Sequence, residues 1–268
     1  ISITPYGNPV FVPVTDVDKL WSVAAIWIRL APGIAREVAR WLTDGWGAME
    51  TDMHGLNIAR FDGWGRTKKF VEERGAEEFS RHYGIIHPAE QFDAGRPNRT
   101  TGFYDRQQAH DASFQESGGW ERPRWYESNA DLLDRYAAEL DGLRRPNDWD
   151  AKWWSPIILG EHLHLRDTAG LIGDTGFAVF DVLGEDATSF LERMVVGRMD
   201  CDVGSIGYTP ALDAGAGVRA DLTIVRLAAD RYRIITGGST GGDVWQWFSR
   251  HLPLEGDVDL VDPSSGLA

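Results

Sequence analysis

Between residues 204 and 237 three apolar runs follow one another: "GSIGYTPAL" at 204–212, "DLTIVRLA" at 221–228 and "RYRIITG" at 231–237. Their β-branched and aromatic content favours strands. Only Ala229 and Asp230 separate the second from the third. A link that short permits a hairpin, whereas parallel neighbours need a crossover of about a dozen residues. A further strand is expected at 176–184 ("GFAVFDVLG"), and a helix at 185–196, where Asp186 stands in position to cap "ATSFLERMV". Helices interleaved with antiparallel strands place the chain in the α+β class.

Upstream, "TPYGNPVFVPV" and "KLWSVAAIWI" read as turn and strand, and "PGIAREVARWLTDG" reads as a helix. In that helix Ile34, Val38, Trp41 and Leu42 repeat at helical spacing and Gly45 is a stop signal. Residues 66–84 are predicted helical with Phe70, Val71 and Phe79 inward, and 129–145 and 155–169 are two more helices. Residues 85–127, rich in Pro, Gly, Arg and Trp, read as an ordered but irregular cap. The closing "VDLVDPSSGLA" alternates like an incoming strand. With Ile1 rather than Met in first place, this ending suggests a piece of a longer polypeptide.

Charge narrows the partners. Lys and Arg total 27 against 41 Asp and Glu, a formal net charge of −14. Phosphate backbones and anionic membranes repel such a chain, so neither nucleic acid nor membrane is expected as a partner. The longest apolar stretch, residues 20–31, contains Arg29 and falls short of the roughly 20 residues that a span requires. One cysteine, Cys201, permits no internal disulfide, which fits a reducing compartment and a cytoplasmic location.

One acid is oddly placed. Asp221 follows the Gly-rich "DAGAG" and begins an apolar run. It is either a carboxylate capping backbone N–H groups at a strand end or a partly desolvated base at the mouth of a sheet. Tyr208 lies on the neighbouring predicted strand, where the two side chains can meet on one face. "EHLHLRD" at 161–167 offers possible metal ligands, but His162 and His164 are two apart and point to nearly opposite sides of a helix. No metal is expected. "GWERPRWY" at 119–126 reads as Arg stacked on aromatics inside a packed cap. The chain has no GxGxxG, Walker loop or G-x-S-x-G elbow, so any dinucleotide would rely on a phosphate loop elsewhere.

The order of these segments resembles the dimethylglycine and sarcosine dehydrogenase/oxidase family over nearly the whole chain. "TPYGNPVFVPVTDVDKLW" with "PGIAREVARWLTDG" looks like the closing strand and helix of the family's FAD domain (residues 1–62). "RHYGIIHPAEQFDAGRPNRTTGFYDR" and "GWERPRWY" look like its linking domain (63–128). "GEHLHLRDTAGLIGDTGFAVFDVLGEDATSFLERM" and "YTPALDAGAGVRADLTIVRL" look like the first part of its folate-binding, aminomethyltransferase-like domain (129–268). The resemblance implies part of a flavin- and tetrahydrofolate-dependent oxidoreductase that demethylates N-methylated amines and passes the one-carbon unit to folate. The alternative is a non-catalytic assembly subunit or folate-binding module of such a complex.

By the same resemblance Asp221 is the folate-pocket acid of the "GG-x-x-x-DLT" pattern and the candidate catalytic base. Tyr208 lines the pterin pocket, Gly217 is the second glycine, and Gly33 and Ile34 stand where the family's helix approaches FAD. The chain departs from the pattern at Ala216 in the glycine pair, at Gly173, and at Pro32, Ala35 and Arg36 around a lone Gly33. Most of the FAD site, the amine-oxidising residues and the rest of the folate domain would lie on missing polypeptide or a partner subunit.

Overall fold

The computed structural model describes residues 3–13, 19–45, 48–61, 63–143, 145, 147–173, 176–213 and 215–264. In chain order its first elements are β1 (Val10–Pro13), β2 (Trp21–Ala24), α1 (Ala31–Asp44), α2 (Lys68–Arg81), α3 (Tyr104–Ala109), β3 (Ala112–Ser117) and β4 (Trp120–Tyr126). There follow α4 (Leu132–Arg135), α5 (Asp148–Ala151), α6 (Ile157–Asp167), β5 (Ala178–Leu183), α7 (Ala187–Met194), β6 (Ile206–Leu212), β7 (Val218–Ala228), β8 (Arg231–Thr236), α8 (Gly241–Arg250) and β9 (Asp259–Val261). The described residues form two compact units, one within 3–67 and 177–264 and the other within 68–176.

The first unit carries a five-stranded sheet in the order β6-β7-β8-β5-β9, with every neighbouring pair antiparallel. Alternation sends Phe180 and Val182, Leu222 and Ile224, and Tyr232 and Ile234 to one face, where all are buried. Helix α7 covers that face with Ala187, Phe190, Leu191 and Met194, an i, i+3, i+4, i+7 stripe, and α8 adds Val244 and Phe248. Fully burying each large apolar side chain contributes about 1.5–3 kcal/mol, which makes this cluster the main hold on the unit. A smaller core joins Phe11, Ile34 and Met53, with the Trp41 ring edge-on to both Phe11 and Trp21.

Asp186 stands at the head of α7 without capping it. Its Oδ2 instead accepts the backbone N–H of Asp257 at 2.9 Å, tying the helix entry to the loop before β9. The approach is close: Gly184 has φ +114°, and a Cβ there would lie 2.0 Å from the Asp257 carbonyl oxygen.

In the second unit, the segment read as an irregular cap contains a hairpin, β3 on β4, with a register shift at Ser113/Phe114 opposite the stretch that holds Pro123. The helix expected over 129–145 is helical only at Leu132–Arg135 and continues as turns, with Gly142 at φ +74°. Leu132, Tyr136 and Leu140 nevertheless keep a four-residue spacing and form a buried cluster with Leu159 and Leu163 of α6. On α2, Phe70 is buried as expected, whereas Val71 and Phe79 are exposed. Their expected place belongs to Arg74, wholly buried, stacked on Phe70 and Phe92 and paired with Glu116 at 2.5 Å. Charge-assisted pairing and ring contact together satisfy a guanidinium that an apolar pattern cannot reveal.

Candidate functional site

Strands β6 and β7 pair so that Tyr208 faces Thr223 and Pro210 faces Asp221. Tyr208 and Asp221 are therefore diagonal neighbours on the sheet face opposite the core. The Tyr208 hydroxyl donates to Asp221 Oδ2 at 3.2 Å. Both side chains are exposed, Tyr208 at 73%. The negative charge of Asp221, and next its hydrogen bond, push the Tyr208 phenol above the usual tyrosine range, so the phenol stays protonated and remains the donor. Thr236, buried on β8, donates through Oγ1 to the Asp221 carbonyl at 3.1 Å and fixes the backbone beneath the acid. Among the described residues no backbone N–H donates to the Asp221 carboxylate, and the side chain is exposed rather than partly desolvated.

Gly217 sits four residues before Asp221 in the turn from β6 to β7. Asp213 organises that turn: its Oδ1 accepts the N–H groups of Gly215 and Gly217, each at 2.9 Å, and its own N–H donates to the Gly217 carbonyl. A Cβ on Gly217 would fall 2.9 Å from Asp213 Oδ2, which gives the glycine a local steric reason. Ala216 takes the left-handed φ of +63°.

The turn forms one wall of a cavity of about 1110 Å³ inside the first unit. Trp41, Arg60, Arg219, Asp243, Trp247 and Arg250 are among its lining residues, together with Gly217; Tyr208 and Asp221 are not. Asp243 accepts from Asn57 Nδ2 at 2.7 Å and lies 3.7 Å from Arg219, whose guanidinium covers the Trp247 ring. Arg60 donates to the carbonyls of Asn8, Pro9 and Gly55, and burial pulls its pKa down to about 10. Sequence reasoning missed this cavity because its walls come from residues 41–60 and 213–250, which lie far apart along the chain.

Gly33 occupies the first turn of α1 with open space where a Cβ would stand, so a ligand has room to approach there. Ile34 is turned into the core with Phe11 and Met53, which leaves only its backbone for any such contact. In "EHLHLRD", Glu161 accepts from the Tyr126 N–H and Asn129 Nδ2. Among the described residues no group of three or more His, Cys, Asp or Glu is placed to hold a metal.

Residues 103–268 match the family model described as the GCVT N-terminal domain, and residues 46–101 match the FAD dependent oxidoreductase central domain. The chain is 28% identical to 4-methylaminobutanoate oxidase (formaldehyde-forming) of Paenarthrobacter nicotinovorans over 89% of its own length and 28% of that protein. Against the mitochondrial sarcosine dehydrogenase of Mus musculus the identity is 26%, over 90% of the chain and 29% of the relative. The mitochondrial pyruvate dehydrogenase phosphatase regulatory subunit of Mus musculus is 25% identical, over 88% and 26%. The chain thus spans less than a third of each of these relatives. No helix among the described residues is long and apolar enough to cross a membrane.

Proposed function

The chain belongs to the GCVT N-terminal domain family, and from that premise we propose that it is the folate-facing part of a flavin- and tetrahydrofolate-dependent oxidoreductase that demethylates N-methylated amines. The observation that carries this reading is the Tyr208–Asp221 pair on the open face of the sheet. Capture of a one-carbon unit requires a neutral folate amine, and a fixed carboxylate can take its proton. Asp221 is the base in this reading. Tyr208 holds one carboxylate oxygen, which orients the acid and leaves its other oxygen for the folate nitrogen. Gly217 shapes the turn beside them. The donor set suits a pterin, an edge of N–H groups and ring nitrogens that pairs with a carboxylate and a phenol.

FAD, when bound, would supply the hydride-accepting step. The described residues contribute little to holding it: Gly33 offers space, Ile34 offers backbone, and no phosphate-cradling loop opens α1. We therefore assign most of FAD binding, and all amine oxidation, to polypeptide beyond this sequence or to a partner subunit. In this proposal residues 1–62 close the flavin domain, 63–128 link and 129–268 begin the folate domain. A cytoplasmic location belongs to the same proposal and rests on the single cysteine, while two of the relatives above are named as mitochondrial.

The test is titration of the chain with tetrahydrofolate by calorimetry, for the native protein and Asp221→Asn. Saturable binding that Asp221→Asn weakens supports the proposal; equal binding by both removes Asp221 from it. A second reading, a non-catalytic assembly or regulatory subunit, is favoured by the similarity to a regulatory subunit and by Ala216 in the glycine pair. Under that reading the chain binds no folate.

A further inference from the structure

In the second unit two arginines stand close together with no acid paired to either. Three hydrogen bonds gather the residues around them. His87 donates from Nδ1 to the Trp149 carbonyl at 2.8 Å. Arg124 Nη1 donates to the Ala89 carbonyl at a long 3.5 Å, and Arg145 Nη1 to the Asp150 carbonyl at 2.9 Å. The two guanidiniums therefore flank one junction, where the loop after α2 meets α5. Each also lies over a tryptophan, Arg124 4.8 Å from the Trp125 ring centre and Arg145 5.0 Å from that of Trp154. Burial, and next the charge of Arg145, pull the Arg124 guanidinium below the usual arginine range.

These two charges repel, and nothing among the described residues offsets them. Asp148 and Asp150 lie on α5 itself, yet among the described residues neither forms an ion pair with Arg124 or Arg145. Glu90 is taken by Arg81 at 3.4 Å and by the His87 N–H at 2.8 Å. On a chain with 41 acidic and 27 basic residues, two adjoining arginines without an acid partner argue for a counter-charge supplied from outside. Among the described residues each of them hydrogen-bonds through Nη1, which leaves the Nε and Nη2 edge, the one suited to bidentate pairing with an oxyanion. Stacking on tryptophan and the carbonyl bond hold both forks in place before a ligand arrives. Beside them the Trp149 side chain is 54% exposed.

We infer that Arg124 and Arg145 hold a phosphate monoester that carries a flat ring, such as a nucleoside monophosphate, with the phosphate between the two forks and the ring on Trp149. A phosphate ester brings close to two negative charges and three acceptor oxygens, so it serves both guanidiniums at once. A carboxylate, with two oxygens and one charge, fills one fork. The exposed indole gives a planar base a stacking surface. The net charge of −14 works against a polyanion, so the ligand is a single phosphate ester rather than a nucleic acid. Tyr208 and Asp221 belong to the other unit, and the inference does not rest on the folate reading.

The experiment is calorimetric titration of the whole chain with three probes: AMP, ribose 5-phosphate, which lacks the ring, and adenosine, which lacks the phosphate. AMP should bind saturably and about tenfold tighter than ribose 5-phosphate, and adenosine should bind weakest. AMP affinity should fall as salt rises. Arg124→Gln/Arg145→Gln should weaken AMP and ribose 5-phosphate on the order of tenfold or more and leave adenosine unchanged, whereas Trp149→Ala should bring AMP down to the level of ribose 5-phosphate. No AMP binding by the native chain, or adenosine binding as tight as AMP, overturns the inference. So does an unchanged AMP affinity in a folded double variant. If the double variant does not fold, Trp149→Ala decides, because that side chain is exposed: AMP affinity equal to the native value overturns the inference, and a fall to the ribose 5-phosphate level supports it.

Discussion

Tyr208 and Asp221 meet at 3.2 Å across a two-strand diagonal, with the phenol as donor and the carboxylate as acceptor. Because the acid's charge is the first cause of the raised phenol pKa, removing that charge should bring the phenol back. An ultraviolet titration of Asp221→Asn should therefore show one tyrosine ionising at lower pH than in the native chain. An unshifted curve would mean that the pair does not persist in solution. The same substitution keeps the shape of the side chain, so the melting temperature should hold. In the complete enzyme, folate coupling should fall by about 10²–10⁴-fold for lost proton transfer while amine oxidation persists.

Asp181, buried on β5 and bonded to Arg231 and Arg233, couples stability to acid. Its folded-state pKa is lowered, so its contribution is fully present above the unfolded-state value and is lost as pH falls through the folded-state value. Asp181→Asn should flatten the acid limb of the stability curve measured by denaturant melts. At neutral pH it should cost about 1–3 kcal/mol, less than the roughly 3–5 kcal/mol of a fully enclosed pair, because Arg231 reaches solvent.

Arg74 and Glu116 make the sharper case in the second unit, since their side chains are 0% and 7% exposed. Glu116→Gln leaves the guanidinium without its counter-charge and should destabilise that unit by about 3–5 kcal/mol. Proteolysis should then cut within 68–176 before the five-stranded sheet opens. If both parts open together, the two units are energetically one.

Gly242 faces the 3-10 turn Ile58–Arg60, and a Cβ there would lie 2.4 Å from the Ala59 carbonyl oxygen. Gly242→Ala must displace backbone, so it should lower the melting temperature despite the better helix propensity of alanine. The Asn57–Asp243 bond should weaken with it. Exchange protection of the 57–61 amides is the readout, and unchanged protection would count against this contact.

Flavin gives a separate check. The chain alone should hold FAD weakly or not at all, because no phosphate loop opens α1. Purification with a full complement of tightly held FAD would refute this.

What could be read from the sequence followed local periodicity. Strands β5 to β8 and helices α1 and α7 announce themselves by alternation or by a 3.6-residue stripe, α2 shows as a helix but not by its inward face, and Tyr208 and Asp221 meet because a short turn fixes their register. The hairpin β3–β4 did not, since Pro123 and interleaved Arg and Trp mask its alternation. Nor did the buried roles of Arg74 and Asp181, whose partners Glu116, Arg231 and Arg233 lie about 40 to 50 residues away. The cavity beside Gly217 is invisible for the same reason: tertiary contact, not pattern, makes it.

The sheet-bearing unit is assembled from two stretches with all of Lys68–Gly176 between them. On a ribosome Asn57 and the turn Ile58–Arg60 emerge long before α8, and the Asn57–Asp243 bond waits for that helix. The intervening stretch has a core of its own, Leu132, Tyr136 and Leu140 with Leu159 and Leu163, that needs no later residue. Synthesis therefore imposes an order, middle first and closure last. A stall or truncation before residue 241 leaves Phe180 and Phe190 without the cover of Phe248, an apolar surface open to chaperones.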